Sequence, residues 1–129
     1  MLDDTGGRRL DGLHVLVAED DHIQCDGIVA CITDFGATVV GPAHSLSEAR
    51  ELVRSNSVDI AVVDIDLGDG DTFDFARTLQ SRGLPFIFAT GYNCGKVPAG
   101  FEHIKCLEKP FTEHALVSSL VEAVSGTRH

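Results

Sequence analysis

"VVDIDLGDGD", residues 62–71, is the stretch that decides the fold. The apolar run Ile60-Ala61-Val62-Val63 delivers four aspartates within eight residues, Asp64, Asp66, Asp69 and Asp71. No Lys or Arg lies between Arg54 and Arg77 to neutralise them. Carboxylates this crowded repel one another and raise each other's pKa. A run that is apolar throughout, rather than alternating, suits a strand covered on both faces. The acidic cluster therefore sits at the carboxyl end of a buried strand, where open α/β sheets place their ligand sites.

Outward from this stretch the same pattern recurs. Residues 13–18 are apolar and end in Glu19-Asp20-Asp21, a second buried strand with an acidic end. Over residues 22–35 the spacing of Ile28, Ile32 and Phe35 predicts a helix, and Gly36 supplies its stop. Residues 37–40 read as a strand closed by Gly41-Pro42. Ser45, with Glu48 three residues on, forms a capping box that opens a helix through Arg54. Residues 59–64 are strand three. A helix is predicted over residues 72–81, with Phe75 and Leu79 on one face, and strand four over residues 86–90. Residues 91–100 contain Gly91, Gly95, Pro98 and Gly100, which oppose a regular helix, so a loop with at most one helical turn is expected. Residues 103–107 read as strand five. Thr112 caps a final helix carrying Leu116, Leu120 and Val124. Such alternation of strands and helices implies an α/β fold, a parallel sheet with helices on both faces.

Composition sets bounds. The chain has 129 residues, which favours one domain. A 43% hydrophobic fraction with 23% charge argues against disorder. The net charge of −10 disfavours direct nucleic-acid binding and fits a divalent metal or a basic protein partner. The apolar runs fall far short of the roughly 20 residues of a membrane span. Cys25, Cys31, Cys94 and Cys106 form no C-x-x-C pair and follow a polar start, so reduced thiols in a cytoplasmic protein are expected. The six histidines, at 14, 22, 44, 103, 114 and 129, show no metal-cluster spacing.

The polar groups that end the strands converge. Glu19 and Asp20, Asp64, Thr90 and Lys109 each follow an apolar run and reach the same sheet edge. Three carboxylates there call for a cation, and hard oxygen ligands suit Mg²⁺. Lys109 and the Thr90 hydroxyl beside a metal would cradle a phosphoryl group. A carboxylate can itself be the nucleophile and form an aspartyl phosphate. Asp21 is accounted for by a helix N-terminus, and Asp69, Asp71 and Asp74 by a solvated loop and helix start.

"LVAEDD", "VVDIDL", "FAT" and "EKPF", in that order and spacing, resemble the receiver domains of two-component response regulators. The resemblance covers residues 12–126, with tails at 1–11 and 127–129. It implies a flavodoxin-like, five-stranded parallel sheet of order 2-1-3-4-5. It also implies Asp64 as phosphoacceptor, Asp20 as a direct Mg²⁺ ligand, Glu19 acting through water, and Asp66 binding the metal through its backbone carbonyl. Thr90 would follow the phosphate, Lys109 would pair with its oxygens, and the Lys109-Pro110 bond would be cis. "PFIFATGY" is similar to the FAT GUY subfamily of single-domain receivers of alphaproteobacteria, some linked to general stress signalling. Two departures stand out: Cys106 occupies the position of the usual switch aromatic, and Gly68 replaces the usual proline. Tyr92 is the candidate replacement switch, and the segment between strands four and five is expected to be short or degraded as a helix.

The implied function is a stand-alone phosphoacceptor module, not an enzyme with an external product. It would take its phosphoryl group from a histidine kinase or histidine phosphotransfer protein. It would signal by protein contact or phosphotransfer to a downstream protein, without nucleic acid or membrane. The alternative is an Mg²⁺-dependent phosphatase of haloacid-dehalogenase type, because Asp64-Ile65-Asp66 resembles that family's D-x-D motif.

Overall fold

The computed structural model describes residues 9–67, 70–91 and 94–126. Five strands alternate with helices: β1 (His14–Ala18), α1 (His22–Asp34), β2 (Thr38–Ala43), α2 (Leu46–Ser55), β3 (Ile60–Asp64), α3 (Thr72–Ser81), β4 (Phe86–Thr90), β5 (Cys106–Glu108) and α4 (Glu113–Gly126). The strands form one parallel sheet in the order β2-β1-β3-β4-β5, the order expected.

Alternation along each strand divides the core in two. Val15, Val17, Ile60, Val62, Ile87 and Ala89 face one side. There they meet Cys25, Ile28 and Ile32 of α1 and Leu116 and Leu120 of α4. Leu16, Ala18, Ala61, Val63, Phe86 and Phe88 face the other side, against Ala49 and Val53 of α2 and Phe75 and Leu79 of α3. Both faces of β1, β3 and β4 are thus apolar, the physical reason their sequences do not alternate. Phe88 meets Phe73, Phe86 and Phe101 edge-on, with centroids 5.3–5.6 Å apart, a favoured aromatic geometry.

Local chemistry fixes the helix ends. Asp21 caps α1 by accepting from the Ile23 and Gln24 amides at 3.0 and 3.1 Å. Asp71 caps α3 through the Phe73 and Asp74 amides. Ser45 caps α2 by accepting from Glu48 N at 3.1 Å, while the Glu48 carboxylate accepts from His44 N rather than from the cap residue's own amide. After α1 the chain turns at Gly36, whose φ of +97° favours glycine; a Cβ there would also meet the Asp11 backbone at 2.9 Å.

Several expectations need correction. Gly41-Pro42 does not close β2; the strand runs through it to Ala43, with a cis bond at that proline and a register irregularity opposite β1. β2 lies at the sheet edge, where a residue without an amide hydrogen is tolerated. β5 begins at Cys106 rather than residue 103, because Ile104 N turns back to Phe101 O at 3.0 Å and Phe101 is pulled into the core. The cysteines are not all thiols: Cys94 and Cys106 form a disulfide, their Cα atoms 5.9 Å apart. The tertiary fold brings together two residues 12 apart in sequence, a pairing without any local motif. Cys25 and Cys31 remain free and buried. Leu10, within the stretch read as a tail, is fully buried and its amide donates to Phe35 O. Between β4 and β5 the only helical turn among the described residues is a short 3-10 segment, Cys94–Lys96, as expected. Among the described residues, no helix is long and apolar enough to cross a membrane.

Candidate functional site

The site grows from four strand ends. Glu19 follows β1, its amide still paired to Ala43 O at 2.9 Å, and its side chain is 2% exposed. Asp20, next along, is exposed. Asp64 ends β3 and is 3% exposed; its Oδ1 accepts from Asp66 N at 2.9 Å, which turns the chain sharply after the strand. Thr90 ends β4, fully buried, and donates to Asp66 Oδ2 at 3.3 Å. Lys109 follows β5; its amide donates to Thr90 O at 2.8 Å, and the Lys109-Pro110 bond is cis.

These groups meet. Lys109 Nζ donates to Glu19 Oε1 at 2.5 Å and to Asp64 Oδ2 at 3.4 Å. Carboxylate oxygens of Glu19, Asp20 and Asp64 lie within 4.8 Å of one another. Burial pushes the Glu19 carboxyl up to about 7, and its hydrogen bond to Asp64 adds to this; the Lys109 hydrogen bond opposes it. Burial alone would lower the Lys109 ammonium, but its bond to Glu19 and the charge of Asp64 hold it above the usual lysine value. The cluster is thus two buried acids bridged by one cation, with a third acid facing solvent. Three hard oxygen donors from two strand ends form a set that suits Mg²⁺.

Glu19, Asp20, Asp64, Asp66, Thr90 and Lys109, all singled out in the sequence, come together at one edge. Tyr92, the candidate switch, lies outside the described residues, as do Gly68 and Asp69. Asp71 and Asp74 stand apart from the cluster: Asp71 caps α3, and Asp74 pairs with Arg50 at 3.0 Å. Two features escaped sequence reading. The Asp66 side chain, not only its backbone, takes part by accepting from Thr90. His44, assigned no role, has Nδ1 2.8 Å from Glu19 O and its ring 4.1 Å from that of His22. No spacing in the sequence signals this, because β2 and β1 must first pair side by side.

Known proteins share this arrangement of strands. The sensory transduction protein LytT of Bacillus anthracis is 29% identical over 112 residues, covering 84% of this chain and 46% of that protein. The chain spans less than half the length of the curated relatives it matches. A response regulator receiver protein from Sinorhizobium medicae superposes with a TM-score of 0.82 at 24% identity, covering 92% of this chain and 98% of that one. The response regulator PhyR from Brucella abortus gives 0.79 at 22%, over 95% and 51% respectively. The family model for the response regulator receiver domain matches residues 15–121, most of the chain. With its sheet order and a match that runs from β1 through β5 and the lysine after it, the chain belongs to the response regulator receiver domain family.

Proposed function

We propose that this chain is a phosphoacceptor that takes a phosphoryl group onto Asp64 from a phosphohistidine protein and passes the signal on by protein contact or onward transfer. The observation that carries this is the position of Asp64: a buried carboxylate that shares Lys109 with Glu19 and lies within 4.8 Å of carboxylate oxygens of Glu19 and Asp20. An Asp64 oxygen attacks the phosphorus, the P–N bond breaks, and the imidazole nitrogen leaves with the electron pair and takes up a proton. Lys109, now shared by Glu19 and Asp64, turns to the phosphoryl oxygens. Thr90 exchanges Asp66 for the same oxygens, drawing the end of β4 inward. Mg²⁺, held by Asp20, Asp64 and the Asp66 carbonyl, with Glu19 acting through water, would neutralise charge on the transferred group.

The donor's side is the groove between α1 and the start of α4, about 550 Å³, which Gln24, Ile28, Lys109 and Phe111 help to line. Ile23 stands 84% exposed at the start of α1 and offers an apolar anchor on the same helix. We assign the chain to the cytoplasm and to the FAT GUY group of receivers. The phosphatase alternative has no support in the family match.

Incubation with Mg²⁺ and a small acyl-phosphate donor, followed by intact mass, tests the chemistry. One phosphoryl group is expected on the wild type and none on Asp64→Asn. Equal labelling of both would overturn the assignment, and sustained turnover of a generic phosphate ester would favour the phosphatase.

A further inference from the structure

We propose that Cys94 and Cys106 are a reversible redox-modification site, oxidised by low-molecular-weight disulfides, whose disulfide clamps the segment after β4 onto β5. Its consequence for signalling rests on the phosphoacceptor reading above.

Placement is the first support. In the β4–β5 ladder Phe88 pairs with Cys106 and Thr90 with Glu108. Strand alternation puts Phe88, Thr90 and Cys106 on the same face of the sheet. Cys106 packs against that face's core cluster. The disulfide therefore ties β5 to the chain four residues beyond Thr90, beside the face on which Thr90 must move. The second support is access. Cys94 and Cys106 are both half-buried, whereas Cys25 and Cys31 are 1% and 3% exposed, and burial pushes their thiols up to about 11. Reagents in solution reach the first pair and not the second. The third is preorganisation. Cys94 N donates to Glu108 Oε2 at 2.9 Å, so a bond independent of sulfur holds the turn near β5. In a reducing compartment, moreover, a disulfide is characteristically transient and redox-sensing.

The chemistry balances as thiol–disulfide exchange. One protein thiolate attacks a low-molecular-weight disulfide and releases one thiol. The second protein thiolate attacks the mixed disulfide and releases the other. Two protein S–H bonds are lost, one S–S bond forms, and both protons end on the released thiols. An external dithiol reverses the sequence.

The full chain is equilibrated in glutathione buffers of increasing oxidised fraction, quenched in acid, alkylated and mapped by peptide mass. Cys94 and Cys106 should pass together from alkylated to linked, with Cys25 and Cys31 thiols throughout. A pair that never oxidises, or that resists a dithiol while the protein stays folded, overturns the proposal. Amide exchange at residues 94–96 and 106–108 is then followed on adding Mg²⁺ and beryllofluoride. The change should be about threefold or more larger in the reduced wild type and in Cys94→Ser than in the oxidised protein. Equal responses overturn the clamp. If neither redox form accepts a phosphoryl group at Asp64, the phosphoacceptor reading fails. The clamp is then judged without the mimic: slower exchange over these amides in the oxidised form supports it, and identical exchange refutes it.

Discussion

At the residue scale, Glu19 is the group whose charge state is most finely set. Its carboxyl titrates at about 7 in the fold against an ordinary value of 4.5, with burial the largest cause. The folded protein therefore binds more protons than the unfolded chain between those two values, so metal-free stability falls as pH rises across that window and levels off above about 7. Cation binding runs the opposite way, because an oxygen ligand must first lose its proton. Mg²⁺ affinity should be weaker about one pH unit below 7 than one unit above. Calorimetric titration at both values checks this, and Glu19→Gln should remove most of the difference. A pH dependence that survives in the variant would place the proton elsewhere. Lys109 illustrates the same interdependence: it is a partner of Glu19 from 90 residues away, before it is a partner of any phosphate.

At the element scale, the helices are started by short polar side chains, and Asp71 has this task at α3. Asp71 supplies two amides of the first turn of α3 with an acceptor and makes no contact with Lys109. Asp71→Ala should destabilise the fold by about 1 kcal/mol, the usual cost of a lost cap. Urea denaturation would register this, while phosphoryl uptake at Asp64 should stay at the wild-type extent. A loss of uptake without loss of stability would mean that Asp71 belongs to the site. Caps, buried runs and helical stripes were legible because each depends on neighbours a few residues away. The start of β5 was not legible: residues 103–105, His-Ile-Lys, alternate polar and apolar as a strand can, but the Ile104 amide's bond to Phe101 O and the burial of Phe101 hold the chain in a turn until Cys106.

At the scale of the whole molecule, a central sheet carries separate apolar layers on its two faces, and the carboxylates gather where neither layer covers the strand ends. The Cys94–Cys106 link adds a covalent tie to the β5 edge of this sheet. Closing a loop with a sequence separation of 12 restricts the unfolded chain by about 3 kcal/mol in the chain-entropy account. Oxidised protein should therefore be the more stable in urea by about that amount. Comparison of oxidised and reduced samples at equal protein concentration checks the figure. Equal midpoints would show that the reduced loop is already as confined as the linked one.

The sequence by itself determined the strand–helix alternation, the helix caps and the identity of the clustered groups, Glu19, Asp20, Asp64, Asp66, Thr90 and Lys109. Each rests on local periodicity, on a side chain's reach to nearby amides, or on a polar residue that ends an apolar run. Only the tertiary structure decided which of these groups touch: Lys109 on Glu19 and Asp64, Thr90 on Asp66, and Cys94 on Cys106. It also decided that the Glu19 carboxyl titrates near neutrality. Those outcomes depend on strand pairing and on the exclusion of water, and neither exists until residues far apart in the chain pack side by side.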